Sequence, residues 1–321
     1  MRRSILIAVL AGTCMAAGGT AQAQQASAPI RLLVGFAPGG ALDAVGRALA
    51  DGLRAELNQP VIVENKPGAG QQLALNEIRR SKPDGLTLIL ANSMPFTVYP
   101  HIYKKLDFDP VKDFTPLGRV ATFDLGITAG PAAPEGGIND FLAWAKANPG
   151  KADYGTSGAG TPGHFVGEMV SRATGAHLQH VAYRGGAPAM NDLLGGQIPV
   201  VADTILESLE MAKAGKVRIL ATSGATRTAL TPEVPTLKES GIDVVVDAYI
   251  GLYGPANIPT ETVRRITNAL ETAMRSTALQ ERITQFAYRP AYATPEAVVG
   301  IQAQELERWA APIKAIGFTV D

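Results

Sequence analysis

The stretch GFAPGGALDAVGRALADGL, Gly35–Leu53, carries the strongest local signal in this chain. It follows the apolar run Ile30–Val34, which predicts a buried strand. Leu42, Val45, Leu49 and Leu53 then recur at helical spacing. A strand thus ends in a Gly-Gly turn and a helix begins at once. Gly39 and Gly40 have no Cβ, so a ligand can approach the backbone there. The first N–H groups of a helix lack partners inside it and carry partial positive charge. A carboxylate or phosphate complements them.

The same device recurs. Val61–Glu64 leads into NKPGAGQQLALNEI, Asp153–Thr156 into SGAGTPGHFVGEMV, and Leu178–Val181 into AYRGGAPAMNDLLGG. Four such turns point to an anion held by backbone amides rather than by cationic side chains. Each turn equally suits a plain α/β connection, and convergence in space is not readable here. Arg184 is the cation inside the fourth turn, as an anion anchor or as a brace for its loop. Phe36 belongs either to the wall of a cavity or to the core.

The first 23 residues read as a signal peptide: a basic start at Arg2 and Arg3, an apolar run over Ile5–Ala17, and Ala21-Gln22-Ala23 as a small-x-small cleavage site. Cleavage after Ala23 and a periplasmic location are the expectation. Cys14, the only cysteine, falls in this segment, so the mature chain is expected to have no disulfide. Removing Arg2 and Arg3 leaves 27 basic against 29 acidic residues. That balance gives no basic footprint for nucleic acid.

Strand and helix signals alternate along the chain, which predicts an α/β protein with mainly parallel sheets. Length favours two domains. VVVDAYIGLYGP, ending at Pro255, reads as a long strand returning to the first domain. The predicted division is 24–124 plus 249–321 for one domain and 125–248 for a second, inserted one. A ligand cleft between them suits hinge closure. After Pro259 the pattern is helical, with Thr260 and Thr294 as N-cap candidates and Val298, Ile301, Leu306, Trp309, Ile313 and Ile316 as the last helix's buried stripe.

Catalytic motifs fail one by one. Ser157 in GTSGA lacks the final glycine of a nucleophile elbow. Gly158, Gly160 and Gly163 spell G-x-G-x-x-G, but His180 and Val181 stand where an acidic ribose ligand belongs. No G-K-[ST] is present. His177 and His180 fall on opposite faces of a predicted strand. His164 and Glu168 share a helix face, which suits a metal less well than ordinary hydrogen bonding. Asp203 ends the apolar run Ile198–Ala202, either touching ligand or capping the next helix. Gln71 and Gln72 either recognise the far end of a ligand or face solvent on the second helix. No cofactor is expected.

These residues sit in longer motifs: FAPGGALD, QPVIVENKPGAG, PDGLTLILANS, FDPVKDFTPLG, YRGGAPAMNDLLGGQIPVVAD and PEVPTLKESG. With them the chain closely resembles the Bug family, the extracytoplasmic solute receptors of tripartite tricarboxylate transporters, from Pro29 to about Trp309. The resemblance implies a two-domain periplasmic-binding-protein (Venus flytrap) fold and a binding, non-enzymatic role. It implies that a small di-, tri- or aromatic carboxylate is held by Phe36, Ala37, Pro38, Gly39, Gly40 and Asp43. A facing loop would supply Thr156, Ser157, Gly158, Gly160, Thr161 and His164. Asp203 takes the family's strand-end acidic position, and Gln72 joins the set. Implied partners are integral-membrane transporter subunits, with the receptor itself a monomer. Departures lie near the same place: Gln71 and Gln72 stand where glycine and asparagine are usual, and Leu42 where threonine is common. A secreted hydrolase or lyase using His164, Ser157 or Asp203, or a periplasmic sensor, is the alternative reading.

Overall fold

The computed structural model describes residues 28–183 and 185–320. The signal-peptide reading, Cys14 and Arg184 lie outside them. The strands are β1 (Ile30–Val34), β2 (Val61–Asn65), β3 (Thr87–Asn92), β4 (Phe114–Phe123), β5 (Leu125–Ala129), β6 (Asp153–Thr156), β7 (Gln179–Ala182), β8 (Val200–Thr204), β9 (Arg218–Thr222), β10 (Ala248–Pro255) and β11 (Arg289–Ala293). The helices are α1 (Ala41–Leu57), α2 (Gln72–Arg79), α3 (Met94–Thr97), α4 (Tyr99–Ile102), α5 (Ile138–Ala147), α6 (Pro162–Thr174), α7 (Gly186–Leu194), α8 (Ile205–Lys213), α9 (Thr260–Met274), α10 (Thr277–Gln285) and α11 (Pro295–Ile316).

Two sheets form, a six-stranded one of order β11-β4-β10-β3-β1-β2 and a five-stranded one of order β7-β6-β8-β5-β9. β1 lies between β2 and β3, parallel to both. Its residues alternate between two cores. Ile30, Leu32 and Val34 meet Leu42, Val45, Leu49 and Leu53 of α1 together with α9 and α10, while Leu33 joins the α2 side. A strand covered on both faces buries apolar side chains on each, which is why Leu32, Leu33 and Val34 run without alternation, while Arg31 near the strand's start pairs with Glu64 and Glu77. The helical period of α1 is met in full, since all four of its predicted apolar residues are buried.

The sheets are mixed rather than mainly parallel, a correction to the sequence reading. β10 runs antiparallel to β3 and β4, β4 antiparallel to β11, and β5 antiparallel to β8 and β9. The reason is topological. β4 passes straight into β5 across the single residue Asp124, so the chain crosses from one sheet to the other without a βαβ return, and β10 brings it back. Only crossover connections through helices impose parallel pairing.

The second crossing runs beside the first. Ser223, fully buried after β9, receives the Leu125 N–H on its hydroxyl at 3.0 Å and donates to the Val246 carbonyl at 2.7 Å. Arg289 bridges the carboxylates of Asp124 at 2.8 Å and Asp247 at 3.2 Å. Burial pushes Asp124 up to about 7; Arg289 opposes this and Asp247 adds to it.

Thr294 caps α11, accepting the Ala297 N–H. α9 is preceded by Pro259 at the cap, with Thr260 as its first helical residue. Of the predicted α11 stripe, Val298, Trp309 and Ile313 are buried, while Ile301, Leu306 and Ile316 are half-buried. Trp309 packs on Phe165 of α6 with ring centroids 5.7 Å apart, so α11 joins the two sheets' helices. No helix among the described residues is long and apolar enough to cross a membrane.

Candidate functional site

A cavity of about 520 Å³ opens where the C-terminal ends of strands from both sheets face each other. Three of the four glycine turns reach it: Phe36 and Gly40 from the first, Ala69 and Gly70 from the second, and Ser157 to Pro162 from the third. No described residue of the fourth turn lines it. Tyr183 of that turn instead donates its hydroxyl to Asp192, and Gly185 bonds the Ser157 carbonyl. Among the described residues, Asp203 is the one charged residue on the wall, and no lysine, arginine or histidine lines it.

The first turn is built around Asp43. Burial alone would raise its carboxyl. Arg47, the Gly39 N–H at 2.9 Å and Asn65 at 2.9 Å together hold it below the ordinary range. Asn65 also donates to the Phe36 carbonyl at 3.0 Å. Asp43 is therefore the internal brace of the loop rather than a group on the cavity wall. Gly39 has φ +87°, a left-handed conformation that its missing Cβ permits. Gly40 precedes α1 with φ −78° and no side chain caps the helix. The N–H groups of its first turn thus face the cleft beside Gly40, Ala41 and Leu42. Phe36 lines the cavity and is 38% exposed. Ala37, Pro38 and Gly39 are exposed but off the lining.

On the facing side the loop amides are largely engaged. The Ser157 N–H donates to one Asp203 oxygen at 2.8 Å, and the Thr204 N–H to the other at 2.8 Å. Burial pushes Asp203 up, while these bonds and the Ser157 hydroxyl act against that rise. The Gly160 N–H donates to His164 Nδ1 at 3.2 Å. Thr156, fully buried, donates its hydroxyl to the Gly158 carbonyl at 2.9 Å, so His180 Nε2 at 2.7 Å is the donor to Thr156. Thr161 donates to the Gly158 carbonyl at 2.7 Å. The amides of Ala159 and Thr161 have no partner among the described residues.

His164 and His180 stack with centroids 4.0 Å apart and planes 19° from parallel. Burial lowers His164 to about 4; burial and the neighbouring His164 lower His180 to about 4. Both are neutral. Thr156 and His164 therefore hold the loop from behind, and neither lines the cavity. His177 precedes β7 with φ +49°, off the strand on which the sequence put it. Glu168 accepts from the Tyr154 hydroxyl at 2.9 Å, an ordinary hydrogen-bonded role, and no metal-holding cluster occurs among the described residues. Ser157 is bonded to Asp203 rather than to an imidazole, so no nucleophile–base pair forms. Gly163 packs its bare Cα on the Ala202 carbonyl, a close helix–strand approach unrelated to a dinucleotide.

Neither glutamine faces solvent. Gln71 is buried, donating to Asn92 Oδ1 at 2.7 Å, and Gln72 bonds the Tyr103 hydroxyl. Gln72 thus stands behind Tyr103 rather than on the wall. The sequence reading missed Asn92, Met94, Tyr99, Ile102, Tyr103, Phe123, Leu125, Tyr288 and Val320, all of which line the cavity. Asn92 was findable, as a polar residue ending the apolar strand LILAN. Val320 arrives from the far end of the chain, its N–H bonded to the Ile102 carbonyl at 2.6 Å. Phe318 beside it packs on His164 at 4.9 Å.

The tripartite tricarboxylate transporter family receptor model (TctC) matches residues 45–318. A Cupriavidus necator protein, the UPF0065 protein in the gbd 5'region, is 35% identical over 322 aligned positions covering 98% of each chain. The solved structure of the periplasmic binding protein BugD is 32% identical, with TM-score 0.78, covering 91% of this chain and 98% of that one. Rhodopseudomonas palustris Rpa4515, solved with adipate, is 25% identical with TM-score 0.82, covering 91% and 98%. The family is one of receptors rather than enzymes, BugD is a periplasmic binding protein, and the solved relatives share the two-domain fold. The chain belongs to the tripartite tricarboxylate transporter receptor family, whose Bug-type members are periplasmic solute-binding proteins.

Proposed function

We propose that this receptor captures a small organic carboxylate in the cleft and delivers it to the integral-membrane subunits of its transporter. The observation that carries the reading is the uncapped start of α1 opening onto a cavity that no cationic side chain lines among the described residues. An anion there is bound by neutral amides at the positive end of the helix dipole. The Rpa4515 adipate complex supports a carboxylate as the ligand class.

In this reading Gly40, Phe36, Ser157, Gly158, Gly160, Thr161 and Asp203 form the contact surface. Asp43, Gly39, Thr156, His164 and Gln72 hold it in shape, and Ala37 and Pro38 form its rim. Residues 24–124 with 249–321 act as one body and 125–248 as the other, closing about Asp124 and Asp247. The chain is exported by cleavage after Ala23 and works as a monomer.

A thermal-shift screen of mono-, di- and tricarboxylates on the mature protein tests this, run beside a turnover assay. A ligand stabilises by RT ln(1 + [L]/Kd), about 2.7 kcal/mol at a hundredfold excess over Kd. A clear shift without consumption of the acid is expected. No shift with any carboxylate would sink the reading. Growth of a deletion strain on the bound acid separates uptake from sensing, and only uptake requires the transporter.

A further inference from the structure

We propose that the cognate ligand is a monocarboxylate with a flat aromatic body, and that Tyr288 sets specificity by reading a polar substituent on it. The inference rests on the carboxylate-receptor reading and narrows its substrate class. Three observations carry it.

The first is the charge inventory of the wall. Among the described residues a second ligand carboxylate would meet no cation, and the only charge on the wall is the Asp203 carboxylate. Like charges in a partly dehydrated cleft repel, so extra anionic groups are disfavoured. The second is shape and chemistry. Away from the glycine turns the wall carries two aromatic pairs, Tyr99 with Tyr103 at 5.0 Å and Phe123 with Tyr288 at 5.3 Å, together with Met94 and Ile102. Such rings favour offset or edge-to-face contact with another ring.

The third is the state of the hydroxyls. Tyr99 donates to the Gly70 carbonyl at 3.0 Å, and Tyr103 is bonded to Gln72. Tyr288 has no hydrogen-bond partner among the described residues, and burial alone raises its hydroxyl's pKa. A phenol held on a cavity wall without a protein partner is a donor reserved for the occupant.

Isothermal titration of the mature protein with benzoate, 4-hydroxybenzoate, adipate and citrate tests the proposal, with Tyr288→Phe as the variant. That substitution keeps the ring that packs on Phe123, and a melting curve checks the fold. Benzoate or 4-hydroxybenzoate should bind at least tenfold more tightly than adipate or citrate. Tyr288→Phe should leave benzoate within about twofold and weaken 4-hydroxybenzoate at least fivefold. Adipate or citrate binding more tightly than both aromatic acids would overturn the ligand class while leaving the receptor reading intact. An unchanged 4-hydroxybenzoate-to-benzoate ratio in the variant would overturn the role of Tyr288. Binding of none of the four, or of any other carboxylate in the thermal screen, would remove the receptor reading itself.

Discussion

The Asp203 carboxylate takes the Ser157 backbone N–H at 2.8 Å and so ties the loop after β6 to the end of β8. Its second oxygen takes the Thr204 N–H at 2.8 Å, at the start of α8. One side chain thus sets the position of two cavity-lining segments. Asp203→Ala leaves those amides without their acceptor, and a hydrogen bond to a charged group is worth about 1.5–3 kcal/mol. Carboxylate affinity should fall at least tenfold by calorimetry. Asp203→Asn, which keeps one acceptor oxygen, should lose less.

Gly39 and Gly40 should respond in different ways. Gly39 has φ +87°, so Gly39→Ala strains the loop at a cost of about 1–2 kcal/mol and should lower the melting temperature. Gly40 has φ −78°, and an added Cβ would have only the Ala37 carbonyl near it, at 3.7 Å. Gly40→Val should therefore keep its melting temperature while the methyl groups obstruct the approach to α1. Affinity for all carboxylates should drop together. Retained binding with a retained fold would exclude the helix-terminus mechanism.

Binding should require the ionised acid, because the described residues of the wall offer amides and hydroxyls rather than cations. Affinity should decline as pH falls through the free ligand's own pKa. Added salt should weaken it only mildly, since no exposed ion pair is screened. Calorimetry across pH and ionic strength measures both, and affinity rising on protonation of the ligand contradicts the mechanism.

The buried histidines make stability pH-dependent. His164 falls from 6.5 to about 4 on burial, so between those values the unfolded chain holds a proton that the folded chain does not. Stability is then lost as pH drops from 6.5 to about 4, by up to about 3 kcal/mol for His164. Protonation would also place two cations in the stack with His180. His164→Gln should flatten the slope of stability against pH in this window, as read from denaturant melts.

Asp124 acts in the opposite direction. Its folded value of about 7 lies above its ordinary 3.8, so the folded chain holds the extra proton between them. That contribution is complete below pH 3.8 and is lost as pH rises through about 7. Asp124→Asn should therefore steepen the rise of stability with pH between 4 and 7, in contrast to His164→Gln. A slope unchanged from wild type would show that Arg289 keeps Asp124 ionised throughout.

Local periodicity carried much of the fold. Ile30–Val34 and the Leu42, Val45, Leu49, Leu53 stripe are a strand and a helix because their side chains must leave water, and that demand is written in their spacing. Strand direction was not so written. β5 and β10 run antiparallel because the chain crosses between sheets at Asp124 and returns near Asp247, and neither crossing leaves a periodic mark.

The amino-acid sequence by itself determined the glycine turns, the strand-end Asp203, the absence of catalytic motifs and the family, because these reside in short contiguous motifs. The tertiary structure alone decided which groups face the cleft. It turned Asp43, Thr156 and His164 inward as braces, because a buried polar atom must find a partner and theirs lie in neighbouring segments. It also brought Asn92 and Tyr103, Tyr288, and Val320 to one wall from three separate parts of the chain. Such convergence follows from packing two sheets and a C-terminal helix together, a long-range outcome that no local spacing encodes.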